Sequence, residues 1–78
     1  MDAGRFEVIK RTLTVSVVHL LMTEYNWSED KAITEFMRSE VYDRLQDEES
    51  KTWHYSAHLL ADLYSNERSG NLIWPEVA

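Results

Sequence analysis

The stretch Leu13-Thr14-Val15-Ser16-Val17-Val18 reads in two ways. It alternates and is rich in β-branched residues, which suits a half-buried strand. Its flanks favour a helix. Phe6, Ile9, Leu13, Val17, Leu20 and Leu21 recur at steps of three and four, the spacing of one helix face. We read a first helix from about residue 5 to Tyr25. Val15, Val18 and Met22 widen its apolar stripe beyond a single face. This helix is therefore expected to be packed on several sides or to carry an interface.

Outward from that helix the chain holds no strong breaker. Gly4, Gly70 and Pro75 all lie near the ends, so residues 1–78 read as one helical domain without repeats or low-complexity segments. "NWSEDKAI" marks a turn and a restart, with Ser28 as N-cap and Glu29 and Asp30 where the helix dipole favours acids. The second helix, about 29 to 38, turns Ala32, Ile33, Phe36 and Met37 inward. Ser39 either caps a new short helix or lies within a continuing one, and Val41, Tyr42 and Leu45 carry the apolar side to about Gln46. The acids 47–49 with Ser50, Lys51 and Thr52 form a solvated connection. Ser56 caps the last helix, and Tyr55 is placed to staple against Leu60. Leu59, Leu60, Leu63 and Tyr64 make its buried face, with Asp62 and Glu67 exposed. It ends near Arg68, where Gly70 can take a left-handed cap. The fold expected is a small all-α bundle of three principal helices, the second broken or bent near Ser39. Residues 69–78 form a C-terminal segment whose Leu72, Ile73 and Trp74 are too apolar to stay idle, so it packs back or meets a partner.

Size and charge limit what such a domain does. With 78 residues it buries a real but small core, and with no cysteine it has neither disulfides nor thiolate chemistry. Eight Lys and Arg against fourteen Asp and Glu give a net charge of −6, which disfavours nucleic acid as a direct partner. "MDAGRFEVIK" lacks the pattern of a signal peptide, and the apolar run from Leu13 to Met22 is too short and polar to span a bilayer. A cytoplasmic location is the expectation.

In "WHYSAHLLADLY" (53–64), His54, His58 and Asp62 stand four apart and would form one stripe on a continuous helix. A cap at Ser56 leaves His54 outside the helix, and no further ligand stands at a zinc-site spacing. His19 falls in the most apolar helix, where a buried histidine satisfied by one hydrogen bond is the plainer expectation. No nucleophile triad, phosphate loop or dinucleotide glycine pattern is present, so neither an enzyme nor a cofactor is expected. A helix-turn-helix would present Arg, Lys, Asn or Gln outward, whereas the two candidate helices present Glu29, Asp30, Lys31 and Glu35, or His58, Asp62 and Glu67.

A protein partner remains. Trp27 at a turn, Trp53 before a cap and Trp74 near the end are hard to hide together, and tryptophan and tyrosine are favoured interface anchors. Tyr42 and Tyr64 suit packing between helices. Asp47 either closes a turn or receives a basic group. The candidate partner-binding residues are Trp27, Trp53, Asp47, Tyr64 and Trp74, and the acidic surface would steer a basic partner.

The segment from Trp27 to Glu67 resembles a family of short bacterial helical proteins. Ser28 and Ala32 carry the first part of the likeness. "SEVYDRLQDEESKTWHYSAHLLADLYSNE" carries the rest, through Ser39, Tyr42, Leu45, Asp47, Trp53, Ser56, Leu60, Leu63, Tyr64 and Glu67. Such proteins are similar to the small partner encoded beside toxin-like proteins, including ones similar to ADP-ribosyltransferases. The resemblance implies a noncatalytic, toxin-neutralising role and brings no catalytic residue to this chain. The alternative is a structural homodimer, burying the broad face of the first helix and the Leu72–Trp74 segment against a symmetry mate. A small DNA-binding regulator is a more distant alternative.

Overall fold

The computed structural model describes residues 2–75. Four α-helices follow in order: α1 (Ala3–Tyr25), α2 (Glu29–Met37), α3 (Glu40–Leu45) and α4 (Ala57–Arg68). Two 3₁₀ turns, Glu48–Ser50 and Thr52–His54, join α3 to α4, and no strand occurs among the described residues. The chain is all-α, with four helices in place of the three principal ones expected.

The ambiguous stretch 13–18 is helical. Thr14, the residue that most invites a strand, turns its hydroxyl back on the helix and donates to the Lys10 carbonyl at 2.8 Å. Asp2 opens α1 by accepting from the Arg5 amide at 2.8 Å. Asn26 closes it in the left-handed region, φ 55°, which asparagine tolerates better than most residues. Phe6, Val17, Val18 and Leu21 are buried, and α1 packs against both α2 and α4. His19, expected inside, is exposed: it follows the buried Val17 and Val18 around onto the outer face.

The break between α2 and α3 has a single-residue cause. Ser39 is in extended conformation and buried; its hydroxyl donates to the Phe36 carbonyl (2.6 Å) and accepts from the Tyr42 amide (3.1 Å). One side chain thus ends one helix and starts the next. This early turn leaves Met37 half exposed at 49 %, contrary to its expected inward position. Six residues make a helix too short to stand alone. The Glu67 carboxylate on α4 supports it, accepting from the amides of Glu40 (2.9 Å) and Val41 (3.1 Å). Glu67 is therefore a half-buried tertiary cap and not the exposed residue its spacing suggested.

Phe36, Leu21, Leu45, Leu60, Val17 and Val41 are the largest fully buried apolar side chains. Tyr42 and Tyr64 meet the Phe36 ring edge-on, with centroids 5.4 and 6.0 Å away. Ser56 caps α4 as expected, accepting from the Leu59 amide at 3.1 Å. At its other end Gly70, φ 82°, donates to the Glu67 carbonyl, and Asn71 donates to that of Asn66, the paired bonds of a Schellman cap. The chain then returns: Leu72 and Trp74 pack against the core while Ile73 stays 80 % exposed. Residues 76–78 of the C-terminal segment lie outside the described residues. Among the described residues, no helix is long and apolar enough to cross a membrane.

Candidate functional site

The connection between α3 and α4 is more ordered than a solvated loop. Asp47 caps the first 3₁₀ turn, its Oδ1 accepting from the Glu49 amide at 3.0 Å. The Ser50 hydroxyl lies 2.5 Å from the Arg44 carbonyl oxygen and 2.9 Å from Thr52 Oγ1, and it accepts from the Thr52 amide at 3.2 Å. Lys51, at φ 59°, makes the left-handed bend that lets one 3₁₀ turn follow another. Thr52 is buried, which pins the bend to the bundle. The Trp53 indole N–H then donates to the Glu48 carbonyl at 2.8 Å, and its ring stacks on His54 with centroids 3.9 Å apart.

This fold of the turn builds an open concavity of about 740 Å³ lined by Asp47, Glu48, Glu49, Lys51, Trp53 and His54. Its rim carries three acids against one lysine, with Asp47 and Glu49 exposed, and its wall includes a stacked pair of aromatic rings. Carboxylates beside an indole favour a cationic side chain, through charge-assisted hydrogen bonds to the first and attraction to the ring face of the second. Asp47 and Trp53, two of the five candidate residues, come together here.

The other three do not join them. Trp27 stacks on Tyr25, with centroids 4.6 Å apart, and the Arg68 guanidinium and Lys31 ammonium lie 4.8 and 5.3 Å from its ring centre. Trp74 lies across α3: its indole N–H donates to the Glu40 carboxylate at 3.2 Å, and the Arg44 guanidinium sits 4.2 Å from its ring centre. Both tryptophans are half-buried. Tyr64 departs from the expectation of a surface anchor: it is 3 % exposed and belongs to the core. Burial raises its phenol above the ordinary tyrosine value, while the Arg68 guanidinium, 3.4 Å from the hydroxyl, pulls the other way.

The histidine stripe is absent. His54 stands in the second 3₁₀ turn, ahead of the Ser56 cap, while His58 and Asp62 lie on the exposed side of α4. These two line a separate cleft of about 280 Å³ with Leu20, Thr23 and Glu24. Among the described residues, no group of three or more His, Asp or Glu is placed to hold a metal ion. Glu67's role escaped the sequence because its hydrogen-bond partners stand 26 and 27 residues away. A polar network at the far end of α1 was hidden for the same reason: the Tyr25 hydroxyl donates to Ser65 Oγ (2.8 Å), which donates to Glu24 (2.7 Å). Comparison with protein-family models, with curated proteins and with solved structures finds no match to this chain.

Proposed function

We propose that this protein is a noncatalytic binding module that receives a basic segment of a partner protein in the concavity between α3 and α4. The observation that carries this reading is the convergence of Asp47 and Glu49 with the Trp53–His54 stack on one open surface. The net charge of −6 supports it, since it draws a cationic partner in before contact. The resemblance of residues 27–67 to the small partners of toxin-like proteins adds a biological form: a neutralising subunit in the cytoplasm that blocks a basic toxin-like site by covering it.

The test is affinity capture from the native host with the intact chain and with Asp47→Ala, Trp53→Ala and Trp27→Ala variants. A basic protein recovered at a fixed stoichiometry is expected. Its retention should fall about tenfold with Asp47→Ala or Trp53→Ala, the scale of a truncated interface anchor, and hold with Trp27→Ala. Suppression of the captured protein's toxicity on co-expression establishes neutralisation. Capture that ignores both the Asp47 and Trp53 substitutions overturns the assignment of the site.

A further inference from the structure

A second surface lies along α1. Only four large apolar side chains are strongly exposed among the described residues: Val8 (62 %), Val15 (49 %), Met37 (49 %) and Ile73 (80 %). Val8 and Val15 stand seven apart on the outer ridge of α1, and Met22, half-buried, continues the series. Met37 follows Ile33 by one turn on the flank of α2. Two grooves run beside the ridge and share Thr14 and Val15. One, of about 300 Å³, reaches Ile33 and Glu29 on α2; the other, of about 240 Å³, reaches Tyr42 on α3. A ridge beside a groove is self-complementary under two-fold rotation, each copy's ridge entering the other's groove.

The charges choose the occupant. Arg11 borders the groove at the N-terminal end of the face, and Glu29 with His19 borders it at the other end. Lys10 is paired with Glu7 at 2.9 Å, whereas neither Arg11 nor Glu29 has an ion pair among the described residues. A partner of one sign would meet its like at one end. A second copy laid antiparallel meets its opposite at both. With the two-fold axis at Val15, positions four before and four after it would face each other, bringing Arg11 of each copy to the groove end that Glu29 borders on the other. The 23 residues of α1 span about 34 Å. The stretch from Val8 to Met22 is about 21 Å of that length, against a longest molecular dimension of 35 Å.

We propose that the α1–α2 face is the interface of a symmetric, antiparallel homodimer. This does not depend on the concavity at Asp47, whose residues do not line either groove. Light scattering and sedimentation of the full chain over a concentration series test it. The expected mass is twice the 9.2 kDa of one chain. Val15→Glu should give a monomer with unchanged helical circular dichroism. Arg11→Glu and Glu29→Arg should each weaken dimerisation about tenfold, and the double reversal should restore it, a pairwise coupling that tests orientation even if Val15→Glu fails to fold. Asp47→Ala should leave the mass unchanged. A 9.2 kDa species at every concentration, or a dimer insensitive to both Val15→Glu and the charge reversals, overturns the proposal.

Discussion

Tyr64 places a titrating hydroxyl at the edge of an apolar core, held by the Phe36 ring on one side and Arg68 on the other. Its folded value is raised chiefly by burial, so the folded chain keeps this proton more tightly than the unfolded chain does. The stability tied to that proton is full below the ordinary tyrosine range, about pH 10, and is lost as pH rises through the folded value. Thermal melts between neutral and strongly alkaline pH should therefore fall less steeply for Tyr64→Phe than for the parent. Equal slopes would show that the Tyr64 proton carries none of the alkaline loss. The serine caps at 28 and 56 were legible at this scale, because each closes on an amide three residues ahead, whereas the sequence leaves Ser39 open between a cap and a position inside a continuing helix. Tyr64's burial was legible too, but its burial removes it from any binding surface, and aromatic type alone does not separate a core ring from an anchor.

At the scale of the elements, α3 depends on a carboxylate from α4. Replacing Glu67 by alanine removes two charge-assisted bonds to the α3 amides and should cost about 2 kcal/mol in urea unfolding. Hydrogen exchange should quicken selectively at Glu40 and Val41, and a uniform loss of protection would instead mean global destabilisation. Helices α1, α2 and α4 were legible from period and caps, whereas α3 was legible only as one of two readings at Ser39. The 3₁₀ turns were not, since they rest on the Ser50 hydroxyl, the Lys51 bend and the buried Thr52, none of which leaves a periodic trace. The meeting of Asp47 with Trp53 followed from those turns and was hidden with them. Met37 was misplaced for a related reason: the helical period runs past Ser39, whereas the helix does not.

For the whole molecule, one ring ties the elements together. Phe36 is fully buried and touches tyrosines from α3 and α4. Its replacement by alanine should cost about 3–5 kcal/mol, as for other buried aromatics. A domain this small has a total stability near the low end of about 5–15 kcal/mol, so the variant should be largely unfolded at 37 °C by circular dichroism. The bonds from Glu67 to α3 have one more consequence, which concerns synthesis. During translation, α3 leaves the ribosome with its first amides unmet, and they stay so until a residue 27 positions later has been made and has cleared the exit tunnel. Six residues do not hold a helix by themselves in the meantime. A nascent product truncated before Glu67 therefore lacks the bonds that hold the start of α3 and should be cut there faster than the full chain.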